Sequence, residues 1–526
     1  MTTSVPQGDE PPSLLSYRRP EPSLVRLIEE LPALDEATVV HSTGGALTLA
    51  GLRAAVSRVA EGLTLAGVRP GHPVAALVGS GTSGVVAMFA VWTAGGVYMP
   101  INGRLTSHEV AELIGDTPVS LLLGAAADLD RQIVDVGMVE LDEKDWTVRL
   151  RRPVTDAAPA YDPEIALVLR TSGTTGKPKS VLLRHGGTMD ALDASLRKLR
   201  RQRVSEAREP ATTIRVNLVP LSLALWAGIF NTLFSFRAGF GVVLLDRFTP
   251  AGFAEAVRAH RLTSTVLAPA MITMLCDSDE VEMLEPLKIV RSITAPLSPV
   301  TAQRFHDRFG VLVLNSYGQT ELGGEVVGWT IDDIRRFGTA KLGAAGRPYD
   351  DVDVRILDEN DRDLPMGERG HIHIRSPYRM RGYATPRPNG EDRFVDGFLR
   401  TGDVGRLDTD GFLWIEGRIS DMINRGGLKV FPDEVEEVLR RHPAVRDAAV
   451  AGVPDRRLGE VPHAWIVAAP GRRVDPAALE AWCRDRLAPY KVPVAFTAVD
   501  TMPRNEAGKV LRRELRATAP PHPPRP

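Results

Sequence analysis

The run Thr171-Ser172-Gly173-Thr174-Thr175-Gly176-Lys177-Pro178-Lys179-Ser180 gathers hydroxyls, glycines and two ammonium groups into ten consecutive residues. Backbone N–H groups, hydroxyls and cations converging in one loop can hold a chain of phosphates. Glycine permits close approach of the backbone to such a ligand, and Pro178 stiffens the exit of the loop. The spacing is not that of a P-loop, which needs four residues between its first glycine and Gly-Lys; only two separate Gly173 from Gly176. A flexible polar turn is the plain alternative. A second cluster, Gly79-Ser80-Gly81-Thr82-Ser83-Gly84, fits the GxGxxG pattern of dinucleotide-binding folds. That pattern also needs an acidic residue about 20 positions later, and Tyr98-Met99-Pro100-Ile101-Asn102-Gly103-Arg104 supplies none. Those glycines therefore read as turn and packing residues.

The ten-residue loop needs a rigid base. Ile165-Ala166-Leu167-Val168-Leu169, just before it, is an apolar run bounded by charge and turn residues and predicts a buried strand. Residues 74–78 (VAALV) precede an apolar helical pattern, and residues 241–246 (GVVLLD) precede another. This βα alternation argues for an α/β chain with mainly parallel sheets. Residues 351–374 shift to short alternating strands, so a β-rich subdomain is expected over about 340–417. After Gly417-Arg418 come a helical pattern at 432–441, a strand near 447–453 and a helix at 476–487. A chain of 526 residues exceeds what one core supports, so at least two domains are expected.

The formal net charge of −2 gives no sign of a nucleic-acid or anionic-membrane partner. Cys276 and Cys483 are the two cysteines and lack metal-ligand spacing, which suits a reducing, cytoplasmic setting. No apolar run reaches membrane-spanning length, and the first residues lack a signal-peptide core. Residues 1–13 and the Pro-rich tail 518–526 are expected to be disordered.

Five segments in order resemble the signature motifs of the adenylate-forming superfamily, which includes acyl-CoA synthetases, peptide-synthetase adenylation domains and luciferases. They are the 171–180 loop; Asn315-Ser316-Tyr317-Gly318-Gln319-Thr320-Glu321; Arg400-Thr401-Gly402-Asp403; Gly417-Arg418 with Gly426-Gly427; and Gly508-Lys509. Weaker similarity runs from about Leu47 to Leu515. The resemblance implies a large N-terminal adenylation domain (14–419), a hinge (418–421) and a small mobile α+β C-terminal domain (421–517). It implies that ATP activates a carboxylic acid as acyl-AMP with release of pyrophosphate, and that the acyl group then passes to the thiol of CoA.

Such chemistry brings two anions together, so cations, a metal and fixed dipoles are needed more than a nucleophilic side chain. By resemblance, Thr171, Ser172, Gly173, Thr174, Thr175 and Lys179 hold the β- and γ-phosphates. Glu321 ligates Mg2+, Thr320 bonds the α-phosphate, and Tyr317, beside Ser316 and Gly318, stacks on adenine. Asp403 and Arg418 bind ribose, and Lys509 swings in to bridge carboxylate and α-phosphate. Gly426 and Gly427 line the pantetheine tunnel, and Ser420 stands at the hinge, where the family often has Asp or Lys. Without the resemblance, Tyr317 reads as a core aromatic, Glu321 as a solvated acid, Arg418 as a salt-bridge partner, Lys509 as a surface charge and Gly427 as a positive-φ turn.

The acyl pocket is expected around Leu223, Trp226, Gly228 and Asn315. The segment 221–230 is apolar and uncharged and lacks the histidine that often gates this pocket. It predicts a hydrophobic, bulky acid: alicyclic, polycyclic or aromatic. The loop 292–297 is shorter than the usual adenine-contact loop. An acyl-AMP ligase serving an acyl carrier protein shares all first-step features and is the nearest alternative. A non-adenylating relative and a nicotinamide-dependent dehydrogenase are more distant ones. A monomer and a homodimer are both compatible with the sequence.

Overall fold

The computed structural model describes residues 20–77, 79–155, 158–171, 179–200, 211–385, 393–505 and 508–519. The termini expected to be disordered lie outside these residues, except that Thr518 and Ala519 are placed, with the Thr518 hydroxyl donating to the Leu515 carbonyl. Residues 172–178 of the phosphate-loop candidate also lie outside them.

The central sheet has eight strands with a parallel middle and antiparallel edges. Pro73–Leu77, Val97–Ile101, Leu121–Gly124 and Ile165–Thr171 form its interior and are almost wholly buried. Continuous burial of both faces explains why they read as unbroken apolar runs instead of alternating ones. Helix Thr82–Thr93 is apolar all round and buried from Thr82 to Trp92, as a helix in the middle of a large core must be. The Trp92 indole N–H, carried into that core, donates to the Ala166 carbonyl at 2.8 Å. Gly84 has a packing reason: a Cβ there would stand 2.5 Å from the Gly79 carbonyl oxygen and 2.8 Å from Leu223 Cδ1.

A second sheet joins Val216–Val219, Gly241–Leu244 and Thr38–Ser42 in parallel. A third joins Ser264–Leu267, Ile289–Ser292 and Leu312–Asn315, again in parallel. The expected β-rich region is an antiparallel sheet of Asp353–Leu357, Gly370–Arg375 and Phe398–Leu407, with Leu413–Arg418 paired to the last. Beyond Asp421, the long antiparallel strands Val445–Asp455 and Gly459–Ala468 carry helices Pro432–Arg440 and Pro476–Arg484, and Ala495–Ala498 adds in parallel. This unit has its own apolar core, including Ile423, Val435, Ile466 and Leu479.

Candidate active site

The sheets end at a cleft of about 2320 Å³ walled by both units; residues 315–321, 400–403 and 414–421 line it, together with Lys509. The strands flanking the phosphate-loop candidate form a hairpin whose ends, Thr171 and Lys179, line the cleft. Thr171 and Lys179 face each other across antiparallel strands, and the Thr171 hydroxyl donates to the Lys179 carbonyl at 3.3 Å. A strand therefore follows the loop as well as preceding it, unlike the strand-to-helix turn of a P-loop. Lys179 Nζ lies 5.7 Å from the centre of the Tyr383 ring.

Strand Leu312–Asn315 leads to a short strand, Tyr317–Gln319, and a single 3-10 turn, Thr320–Leu322. Gly323 and Gly324 then take φ of +86° and +145°, which lets the chain reverse beneath Glu321. Glu321 is 6% exposed, and its Oε1 accepts from Arg393 Nη1 at 2.9 Å and from the Tyr383 hydroxyl at 3.2 Å. The solvated-acid alternative is thus excluded. Arg393 also donates to the Thr401 carbonyl at 2.9 Å, tying the turn to the next motif.

Asp403 and Arg418 are register partners on adjacent strands. Asp403 is 2% exposed; its Oδ1 accepts from Arg418 Nε at 2.8 Å, and Oδ2 accepts from the Tyr317 hydroxyl at 2.5 Å and Gln319 Nε2 at 2.8 Å. The salt bridge between Asp403 and Arg418 is formed, and both carboxylate oxygens are engaged by the protein. Burial, and then the Asp403 charge, push the Tyr317 phenol well above its ordinary pKa, so it stays a hydrogen-bond donor.

Lys509 reaches the cleft on a hairpin turn in which Gly508 has φ +78°. Its amide N–H donates to Asn505 Oδ1 at 2.9 Å. Burial, and then the nearby Arg418 charge, bring its ammonium down to about 8. Lys509 and the Asp403–Arg418 pair thus face the same cleft.

The acyl-pocket expectation needs revision. Trp226 and Asn315 line the cleft, with Ala227, Phe230 and Asn231. Leu223 and Gly228 do not: Leu223 is 2% exposed, with its N–H on Ser80 Oγ at 3.0 Å. A Cβ on Gly228 would lie 2.1 Å from the Ser222 carbonyl oxygen, so that glycine serves helix packing. Nor is the wall uncharged. Glu325 lines it, accepting from Arg291 Nη1 at 2.9 Å and the Tyr349 hydroxyl at 2.9 Å, while Arg291 Nη2 donates to Asn231 Oδ1 at 3.3 Å. The short loop after Ser292 also lines the cleft and holds Thr294 at φ +76°, a strained conformation for a β-branched residue.

Gly426 and Gly427 form an exposed turn between Ile423–Arg425 and Leu428–Val430, at φ +59° and +89°, with the Gly427 N–H on Asn424 Oδ1 at 3.0 Å. Two consecutive positive φ angles account for both glycines, and in this arrangement of the two units they lie off the cleft wall. Ser420 sits in the 3-10 turn Ile419–Asp421, bonded to Asp421 Oδ1 at 3.1 Å. Among the described residues no three ligating side chains converge on a metal position. The single carboxylate of Glu321 still suits Mg2+, which keeps mostly water and phosphate oxygens around it. No helix among those residues is long and apolar enough to cross a membrane.

The sequence profile of the AMP-binding enzymes matches residues 30–384, and that of the AMP-binding enzyme C-terminal domain matches residues 434–509. The chain is 33% identical over 491 residues to a feruloyl-CoA synthase of an Amycolatopsis species, covering 91% of this chain and 95% of that protein. It is 31% identical over 488 residues to a fatty acid–[acyl-carrier-protein] ligase of Streptomyces coeruleorubidus, covering 90% and 92%. Its fold superposes on the o-succinylbenzoate CoA synthetase of Bacillus subtilis, solved with its acyl-adenylate intermediate, with a TM-score of 0.79 at 29% identity over 94% of this chain and 98% of that one. With the cleft and both profiles in their expected order, the chain belongs to the adenylate-forming superfamily of AMP-binding enzymes, in its carboxylate–CoA ligase branch.

Proposed function

We propose that the enzyme activates a hydrophobic, bulky carboxylic acid, alicyclic, polycyclic or aromatic, with CoA as the final acceptor. The acid's carboxylate oxygen attacks the α-phosphorus of ATP, the bond to the β-phosphate oxygen breaks, and pyrophosphate leaves. The CoA sulfur then attacks the acyl carbon, and AMP departs with the mixed-anhydride oxygen. The supporting observation is the convergence of Lys509, from the small unit, with Thr320, Glu321 and Asp403 on one cleft.

In this reading Lys509 neutralises carboxylate and α-phosphate, Thr320 bonds the α-phosphate, and the 171–179 hairpin loop holds the departing phosphates. Glu321 would hold Mg2+ against them, sharing its charge with Arg393. Tyr317, Ser316 and Gly318 face adenine, and Asp403 with Arg418 takes the ribose by exchanging part of its internal hydrogen bonding. Trp226, Phe230 and Asn315 shape the acyl pocket. The small unit rotates about 418–421, and that rotation brings Gly426–Gly427 to the thiol arm. The enzyme acts in the cytoplasm.

A carboxylate panel spanning ferulate, indoleacetate, 2-succinylbenzoate and straight-chain fatty acids, assayed by pyrophosphate release with and without CoA, tests this directly. Turnover confined to fatty acids would overturn the substrate class. Formation of acyl-AMP with no acyl-CoA would replace CoA by a carrier-protein thiol, the acceptor of the Streptomyces coeruleorubidus relative.

A further inference from the structure

The turn that carries Lys509 is held by a hydrogen bond from Arg504, which begins a string of ion pairs. Arg504 Nη1 donates to the Gly508 carbonyl at 2.7 Å, and its Nη2 meets Asp447 Oδ2 at 2.6 Å. Asp447 Oδ1 takes Arg440 Nε at 3.5 Å and the Ala448 N–H at 2.9 Å. Arg440 Nη2 reaches Glu436 Oε2 at 3.0 Å, and Glu436 Oε1 takes Arg512 Nη2 at 2.6 Å. Arg512 Nη1 ends the string on Asp421 Oδ2 at 3.5 Å, one residue past Ser420. Most of its members line the cleft face of the small unit and stay largely buried there.

Buried ion pairs are weak contributors to stability, because desolvation offsets their attraction, and their best-attested use is to fix one geometry among several. Here the fixed geometry is the height of the 508–509 turn above the cleft. Gly508 has little room on the other side, since a Cβ there would lie 3.1 Å from Ala270 Cβ of the large unit. We propose that Arg504, aimed by Asp447, is a positioning residue for Lys509, and that the string registers the lysine turn to the hinge segment so that the two move as one body. This rests on the adenylation role proposed for Lys509.

The test uses the full-length enzyme with whichever panel acid the wild type turns over fastest. Arg504→Met should slow adenylation about thirtyfold, since an ångström of misplacement costs up to about a hundredfold. KM for ATP and acid should change less than twofold, and thioesterification of supplied acyl-AMP should stay at the wild-type rate. Arg504→Lys keeps the charge but cannot span both partners, and should recover only part of the loss. In a Lys509→Ala background, Arg504→Met should add no further loss, because residues acting as a unit are not additive. Should Arg504→Met fold poorly, Asp447→Asn, which keeps the arginine and removes the charge that aims it, must give the same one-sided defect. Additive losses in the double variant, or equal decline of both half-reactions, would overturn the positioning role while leaving Lys509's own role intact. Full activity of Lys509→Ala alone would overturn both.

Discussion

At the scale of single residues, the electrostatics of Lys509 give the sharpest expectations. Lys509→Ala should reduce adenylation by about a hundred- to thousandfold, the usual loss for a group that neutralises developing charge. Thioester formation from supplied acyl-AMP should be spared; equal loss in both half-reactions would contradict the assignment. In the proposed role the ammonium is the working form, and its pKa lies at about 8 in the free protein, so kcat/KM for adenylation should be full below that pH and fall as pH rises through it. Bound triphosphate favours the cation, so the alkaline limb of kcat should lie at higher pH. A Lys509→Ala enzyme should lack that limb altogether. Glu321→Gln removes the hard anionic ligand while keeping shape; the variant should fold, adenylate slowly and need more Mg2+ for half-maximal rate, a titration that normal behaviour at limiting Mg2+ would decide against. Much at this scale was legible in the sequence, because Tyr317, Glu321, Asp403 and Lys509 stand inside short ordered motifs. Arg393 was not. Its partnership with Glu321 spans 72 positions, and an arginine outside any motif carries no mark of which carboxylate it will meet.

At the scale of elements, periodicity located the strands that matter but could not say which side chains of a helix face the cleft. Residues 221–230 read as one apolar pocket wall, yet Leu223 packs behind it beside Gly84, and Gly228 is consumed by contact with the Ser222 carbonyl. The charged part of that wall comes from two strands distant in sequence, Ile289–Ser292 and Gly324–Gly328, which bring Arg291 and Glu325 together. Glycine signals were legible in kind but ambiguous in purpose. Gly427 is explained locally by its φ of +89°, with nothing within 4 Å of where a Cβ would sit. Gly427→Leu should therefore lower stability by about 1 kcal/mol through backbone strain alone. If the turn meets the thiol arm after rotation, the variant should also keep pyrophosphate release and lose thioesterification. Unimpaired thioesterification with the expected fall in Tm would leave the glycine a purely local role.

Across the whole molecule, the two units meet in the arrangement that delivers Lys509, and polar contacts are among those that join them. Ser298 Oγ donates to Glu437 Oε2 at 2.5 Å, Arg446 approaches Asp277 at 3.8 Å, and the Arg369 guanidinium stacks 3.8 Å from the Phe431 ring centre. Such polar, partly exposed contacts contribute about 1 kcal/mol each or less, which suits the rotation proposed for the small unit. Combining Ser298→Ala with Arg446→Ala should shift the balance away from this arrangement, slowing adenylation several-fold without loss of Tm and leaving or raising the thioesterification rate. A decline in both half-reactions would show that the contacts do not discriminate between arrangements. The saturated state of Asp403 bears on the end of that cycle. A carboxylate already held by Arg418, Tyr317 and Gln319 has built-in understudies for a nucleotide's hydroxyls. If Asp403 takes the ribose as proposed, each departing AMP is replaced by donors already within hydrogen-bonding distance, so release strands no bare buried anion. In that reading Arg418, Tyr317 and Gln319 compete with the nucleotide for one carboxylate, trading some affinity for a faster exit.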